Sequence, residues 1–118
     1  NAYVAAGADA IVPEALQTKE EFRDFAQEVK APLLANMTEF GKSPSLSVQE
    51  LGELGYRMVI FPQSAFRVSM KITEEFFHAL KAAGSPNEWL DRMQTRKELY
   101  ATLDYDPAAE SWPGYRAH

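Results

Sequence analysis

The chain has 118 residues, and 17 acidic against 12 basic side chains leave a formal net charge of −5. That length is one ordinary domain, and 46% apolar with 12% aromatic residues is enough for a core, which argues against disorder. The acidic balance argues against a nucleic-acid or anionic-membrane partner, no apolar run approaches the roughly 20 residues of a membrane helix, and the lack of cysteine removes disulfides, thiolate metal sites and thiol nucleophiles. In chain order, Asn1 to Gly7 reads as the last turns of a helix closed by glycine, so the sequence is expected to start in mid-fold. Ala8–Pro13 is a first short apolar run, followed by the capping box Thr18-Lys19-Glu20-Glu21 and an amphipathic stripe of Phe22, Phe25, Ala26 and Val29. Pro32–Ala35 is a second run, followed by the capping box Ser47-Val48-Gln49-Glu50, the stripe Val48, Leu51 and Leu54, and a stop at Gly55. Met58–Pro62 is the third. After it Ser64 is expected to cap a long helix carrying Ala65, Val68, Ile72, Phe76 and Leu80 inward, ended by Gly84. Ser85-Pro86-Asn87-Glu88 reads as a third capping box, opening a last helix with Trp89, Leu90, Met93, Leu99 and Leu103 on one side. The tail from Asp104 has no periodicity and is expected to be loose.

Short, continuously apolar runs suit parallel strands buried on both faces. Three such runs alternating with helices predict an α/β fold of about three βα units, plus an extra helix. Three strands leave two edges bare, and a full (β/α)8 barrel needs about 250 residues. The predicted architecture is therefore the C-terminal part of such a barrel over residues 1–84, a further helix over 85–103 and a tail over 104–118.

In parallel α/β folds chemistry gathers where strands end. Glu14 follows the first run, Asn36-Met37-Thr38 the second, and Arg67 lies one turn into the helix after the third. If the strands are neighbours, a carboxylate, an amide, a hydroxyl and a guanidinium converge on one rim, a set suited to a small polycarboxylate. Asn36 also reads as a turn former, Thr38 as a loop cap, and Glu14 as a solvated or paired carboxylate. Arg67 near a helix start opposes the helix dipole, which favours an anionic partner. His78 reads as a packing or surface residue. With two histidines and no cysteine, a His/Cys metal site is excluded. Gly41-Lys42-Ser43 lacks the upstream glycine of a phosphate loop.

Four stretches, taken in order, carry a resemblance. Ala-Gly-Ala-Asp-Ala-Ile-Val-Pro-Glu-Ala (6–15), Leu-Ala-Asn-Met-Thr-Glu-Phe-Gly-Lys (34–42), Pro-Gln-Ser-Ala-Phe-Arg (62–67) and Met-Gln-Thr-Arg-Lys-Glu-Leu-Tyr (93–100) resemble the methylisocitrate lyases of the isocitrate lyase and phosphoenolpyruvate mutase superfamily. The resemblance implies retro-aldol cleavage of a small polycarboxylate, with Mg2+ in the complete enzyme. It implies that Glu14 contacts substrate and the metal's water shell, that Asn36 and Thr38 bind a carboxylate with the Met37 backbone between them, and that Arg67 and Arg96 contact substrate. The strands with the metal-binding aspartates and the Lys-Cys-Gly-His loop of that family are absent, so no metal ligand and no acid or base is expected in these residues. The resemblance further implies a cytoplasmic setting (the mitochondrial matrix if the source is eukaryotic) and a homo-oligomer in which residues 85–103 are either exchanged between subunits or packed on their own chain. A dimethylmalate lyase, an oxaloacetate hydrolase, a phosphonomutase and an inactive oligomerising fragment stay open beside it.

Overall fold

The computed structural model describes residues 1–108. It divides into two compact units, one running from Asn1 to Ile72 and the other beginning at Thr73. The element order is α1 (Ala2–Ala5), α2 (Lys19–Glu28), β1 (Leu34–Asn36), α3 (Val48–Leu54), β2 (Met58–Ile60), α4 (Ser64–Ala83), a 3-10 helix (Asn87–Arg92) and α5 (Arg96–Thr102). The fold is α/β, with the expected parallel pairing.

The strands β1 and β2 pair in parallel, with Leu34, Ala35 and Asn36 opposite Met58, Val59 and Ile60. The first apolar run forms a single parallel bridge between Ile11 and Leu33, in which the Ile11 N–H donates to the Pro32 carbonyl at 2.9 Å and the Leu34 N–H to the Ile11 carbonyl at 3.0 Å. This register has a direct consequence for the rim. Three residues beyond the bridge, Glu14 comes level with Asn36.

Alternation along β1 sorts its side chains. Leu33, Ala35 and Met37 are buried and join Phe22, Leu46, Leu51 and Tyr56 in the core, with Ala26, Leu54 and Val59 against it. The Phe22 and Tyr56 rings meet at 5.5 Å, and the Tyr56 hydroxyl donates to the Phe22 carbonyl at 3.3 Å. Burial pushes the Tyr56 phenol up to about 12. The opposite face is bare: Met58 and Ile60 are exposed, against the expectation of strands buried on both sides. The reason is coverage. Helices α2 and α3 pack on one face, and no described element of this unit packs on the other.

The sequence signals at the helix ends hold in part. Ser47 and Glu50 form a reciprocal capping box, and Gly55 ends α3 at φ 103°. Thr18 caps α2 through the Glu21 N–H, but the Glu21 carboxylate accepts from the N–H of Gln17, one residue before the cap. Ser64 is not a cap. It is the first residue of α4, and its hydroxyl donates to Glu39. The predicted inward stripe of α4 contains no buried residue, Val68 and Ile72 being exposed.

In the second unit the expected continuous helix over 85–103 is broken. Pro86 precedes a 3-10 helix without a side-chain cap, the backbone extends at Met93, and α5 starts afresh under a capping box of Thr95 and Glu98. Trp89 packs edge-on to Phe76 at 5.5 Å, and the Arg92 guanidinium lies 3.8 Å over its ring. Tyr105 closes α5, its ring 4.9 Å from that of Tyr100, so the tail is tied down at its start. The remainder of the tail, from 109 onward, lies outside the described residues.

Candidate active-site rim

The rim is built by strand ends. Asn36 closes β1 on the uncovered face of the sheet, and the alternation puts Thr38 on the same side. The Thr38 hydroxyl donates to Asn36 Oδ1 at 2.8 Å. That bond orients the amide and leaves both Nδ2 hydrogens without a partner among the described residues. Met37 between them is buried at 5% exposure on the core side, and its N–H donates to the Ile60 carbonyl at 2.9 Å.

Glu14, Asn36 and Thr38 line one cleft of about 160 Å³, together with Ala15, Gly41, Lys42 and Ser43. The loop after β1 turns back at Phe40 and Gly41, which returns Lys42 and Ser43 to the cleft. A Cβ at Gly41 would stand 3.2 Å from the Thr38 carbonyl oxygen, so glycine permits that close return. Two non-glycine residues in the left-handed region flank the cleft, Ala15 at φ 57° and Phe40 at φ 61°. Backbone of this kind is uncommon and gathers at functional loops. Chemically, the cleft offers amide N–H donors, an ammonium and a hydroxyl to an oxyanion, with one carboxylate able to accept a proton or a hydroxyl hydrogen bond.

Arg67 does not join that cleft. It lines a neighbouring groove of about 500 Å³ with Glu39, Phe40, Ser64, Val68, Lys71 and Ile72. Asn36 is opposite Ile60, so Arg67, seven residues further on, lies beyond the strand ends and across the loop. Its Nε is 3.7 Å from Glu39 Oε2, and its guanidinium carbon is 5.2 Å from the centroid of the Phe40 ring. The Ser64 hydroxyl and, less strongly, Arg67 hold the Glu39 carboxyl below the usual carboxylate range. Arg96 belongs to the second unit, where it lines a groove with Lys97, Tyr100, Tyr105, Asp106 and Pro107.

The structure brings together Glu14, Asn36 and Thr38 of the sequence-predicted rim and adds Lys42 and Ser43, whose spacing is not that of a phosphate loop. The signal was local. Residues that return through a glycine turn directly after a strand end face the same rim. The sequence marks Arg67 but neither Glu39 nor Phe40, for which no spacing rule exists, since the contacts cross from loop to helix. Among the described residues no three His, Cys, Asp or Glu side chains come close enough to hold a metal ion, so the groups present do not by themselves fit a Mg2+ centre.

The family model described as phosphoenolpyruvate phosphomutase matches residues 1–81. A 2-methylisocitrate lyase of Halalkalibacterium halodurans is 53% identical over 90% of this chain, and one of Bacillus subtilis is 53% identical over 88%. The chain spans 35% of the length of each. A crystal structure of 2,3-dimethylmalate lyase superposes with a TM-score of 0.77 at 36% identity, over 87% of this chain and 37% of that one.

Proposed function

Since the chain belongs to the phosphoenolpyruvate phosphomutase family, we propose that it is the C-terminal part of a (β/α)8-barrel carbon–carbon lyase, cleaving 2-methylisocitrate to pyruvate and succinate. The observation that carries this reading is the convergence of Glu14, Asn36 and Thr38 on one cleft at the ends of neighbouring parallel strands. In such a cleavage the substrate hydroxyl loses its proton and its oxygen pair forms the pyruvate carbonyl. The bonding pair of the carbon–carbon bond passes to the carbon beside a carboxylate, which takes up a proton as succinate leaves.

In that scheme the residues of this chain bind and orient. Thr38 turns the Asn36 amide so that its N–H groups grip a substrate carboxylate, Lys42 adds charge, and Glu14 accepts from a hydroxyl or a water. Arg67 takes a further carboxylate contact, and for Arg96 the family resemblance alone supports a substrate contact in the complete enzyme. Mg2+ would polarise the hydroxy-acid end in the complete enzyme and would need ligands beyond these 118 residues, as would the base and the acid. Assembly into a homo-oligomer, with residues 85–103 exchanged between subunits or packed on their own chain, and a cytoplasmic setting (the mitochondrial matrix if the source is eukaryotic) belong to the same reading. The 118-residue chain alone, given 2-methylisocitrate and Mg2+, is expected to form no pyruvate, and full-length enzyme to form it readily. Turnover by the short chain, or none by the full-length enzyme, would refute the proposal.

The superposition on 2,3-dimethylmalate lyase favours a second reading, with the same chemistry on a substrate of different bulk. The ratio of kcat/KM for 2-methylisocitrate and 2,3-dimethylmalate decides between them. The first reading expects the ratio to exceed tenfold in favour of 2-methylisocitrate.

A further inference from the structure

The loop after β1 and the start of α4 meet in a group of side chains that the carboxylate-binding scheme does not use. Ser64 donates its hydroxyl to one oxygen of Glu39, and the other, Oε2, is buried without a hydrogen-bond partner, 3.7 Å from Arg67 Nε. Phe40 is 93% exposed yet held at φ 61°, its ring 5.2 Å from the Arg67 guanidinium carbon. A large aromatic side chain in solvent on an uncommon backbone conformation calls for a reason, and the contact with Arg67 supplies one. We infer that Glu39 and Phe40 are positioning residues that hold Arg67 in a preset orientation for a substrate carboxylate, with Ser64 fixing the carboxylate that faces it.

The geometry explains each part. A guanidinium has one Nε–H edge, two terminal nitrogens and two flat faces. Glu39 stands nearest the Nε edge and the guanidinium carbon lies over the Phe40 ring, which leaves the terminal pair for two parallel hydrogen bonds to a carboxylate. An arginine so held loses less side-chain freedom when a ligand arrives, and that raises affinity without any contact between the holding residues and the ligand. The buried oxygen, which stops short of a hydrogen bond, attracts the guanidinium without occupying its donors. The proximity of Arg67 to the first turn of α4, where the helix dipole opposes a cation, makes a neighbouring carboxylate the more useful.

This inference rests on Arg67 contacting substrate, and the test separates the two. Steady-state kinetics of full-length enzyme are compared for Arg67→Lys, Glu39→Gln, Phe40→Leu and each of the last two combined with Arg67→Lys. The expected result is a KM raised about fivefold to tenfold by Glu39→Gln and by Phe40→Leu, with kcat within twofold and an unchanged melting temperature. In the Arg67→Lys background, itself about 30-fold lower in kcat/KM, neither is expected to have a further effect. Additive effects in both backgrounds would overturn the inference, as would a KM like that of the parent in both single variants while Arg67→Lys lowers kcat/KM. Parental kinetics in Arg67→Lys would remove the contact itself, and with it both readings of this arginine. Phe40→Leu keeps the test valid if Glu39→Gln fails to fold, because Phe40 is exposed and stands outside the buried core cluster.

Discussion

Gly41 shows how little room the rim has. A methyl group there would lie 3.2 Å from the Thr38 carbonyl oxygen, tighter than an ordinary van der Waals contact, and the backbone carrying Thr38 must give way. Because the Thr38 hydroxyl orients Asn36 through a 2.8 Å bond, the disturbance passes directly to the amide proposed to grip the ligand. Gly41→Ala is expected to destabilise the protein by only about 1 kcal/mol, yet to raise KM severalfold. Thermal melting and steady-state kinetics of the full-length variant check both halves. A stability loss with an unchanged KM would mean that Thr38 and Asn36 act independently. At this scale, residue type and position after a strand sufficed to single out Glu14, Asn36 and Thr38, which line one cleft. Glu39 and Phe40 escaped because their partner, Arg67, is 28 and 27 residues away, and no spacing rule links loop to helix.

Among the elements, α3 carries the clearest pH-dependent contribution. The Glu50 carboxylate accepts from Lys19 Nζ at 2.7 Å and from the N–H and hydroxyl of Ser47 at 2.9 and 3.0 Å. The Lys19 bond first, then those of Ser47, lower its carboxyl to about 2, against an ordinary 4.5. A carboxylate depressed on folding stabilises the native state fully above the unfolded value, and that contribution disappears as pH falls through the folded one. Urea midpoints are therefore expected to decline between about pH 4.5 and 2, and Glu50→Gln to flatten part of that decline. An identical decline in the variant would show that the pairing contributes nothing at this exposed site. The capping box at Ser47 was legible because Glu50 stands three residues on at a true helix start, whereas the one at Thr95 lay inside the expected continuous helix. The signal at Ser85 misled because Pro86 begins a 3-10 turn, whereas Thr95 and Glu98 carry the box that starts α5.

For the molecule as a whole, the order and direction of the strands were readable from three apolar runs, because continuous apolar character marks parallel strands whatever their length. Their extent was not. The first run is reduced to the Ile11–Leu33 bridge, and Met58 and Ile60 are exposed where burial was expected, since nothing in the sequence of a strand states whether a second layer lies over it. The chain spans 35% of the length of the curated relatives it matches, and the uncovered sheet face bears the Asn36 amide. The central claim is that this rim grips a substrate carboxylate, and it can be tested without turnover. Calorimetric titration of full-length enzyme with succinate, parent against Asn36→Asp, places a second carboxylate where the amide is proposed to donate. Losing a hydrogen bond to a charged group, about 1.5–3 kcal/mol, predicts succinate affinity at least tenfold weaker in the variant. Equal affinity in the two proteins would contradict it.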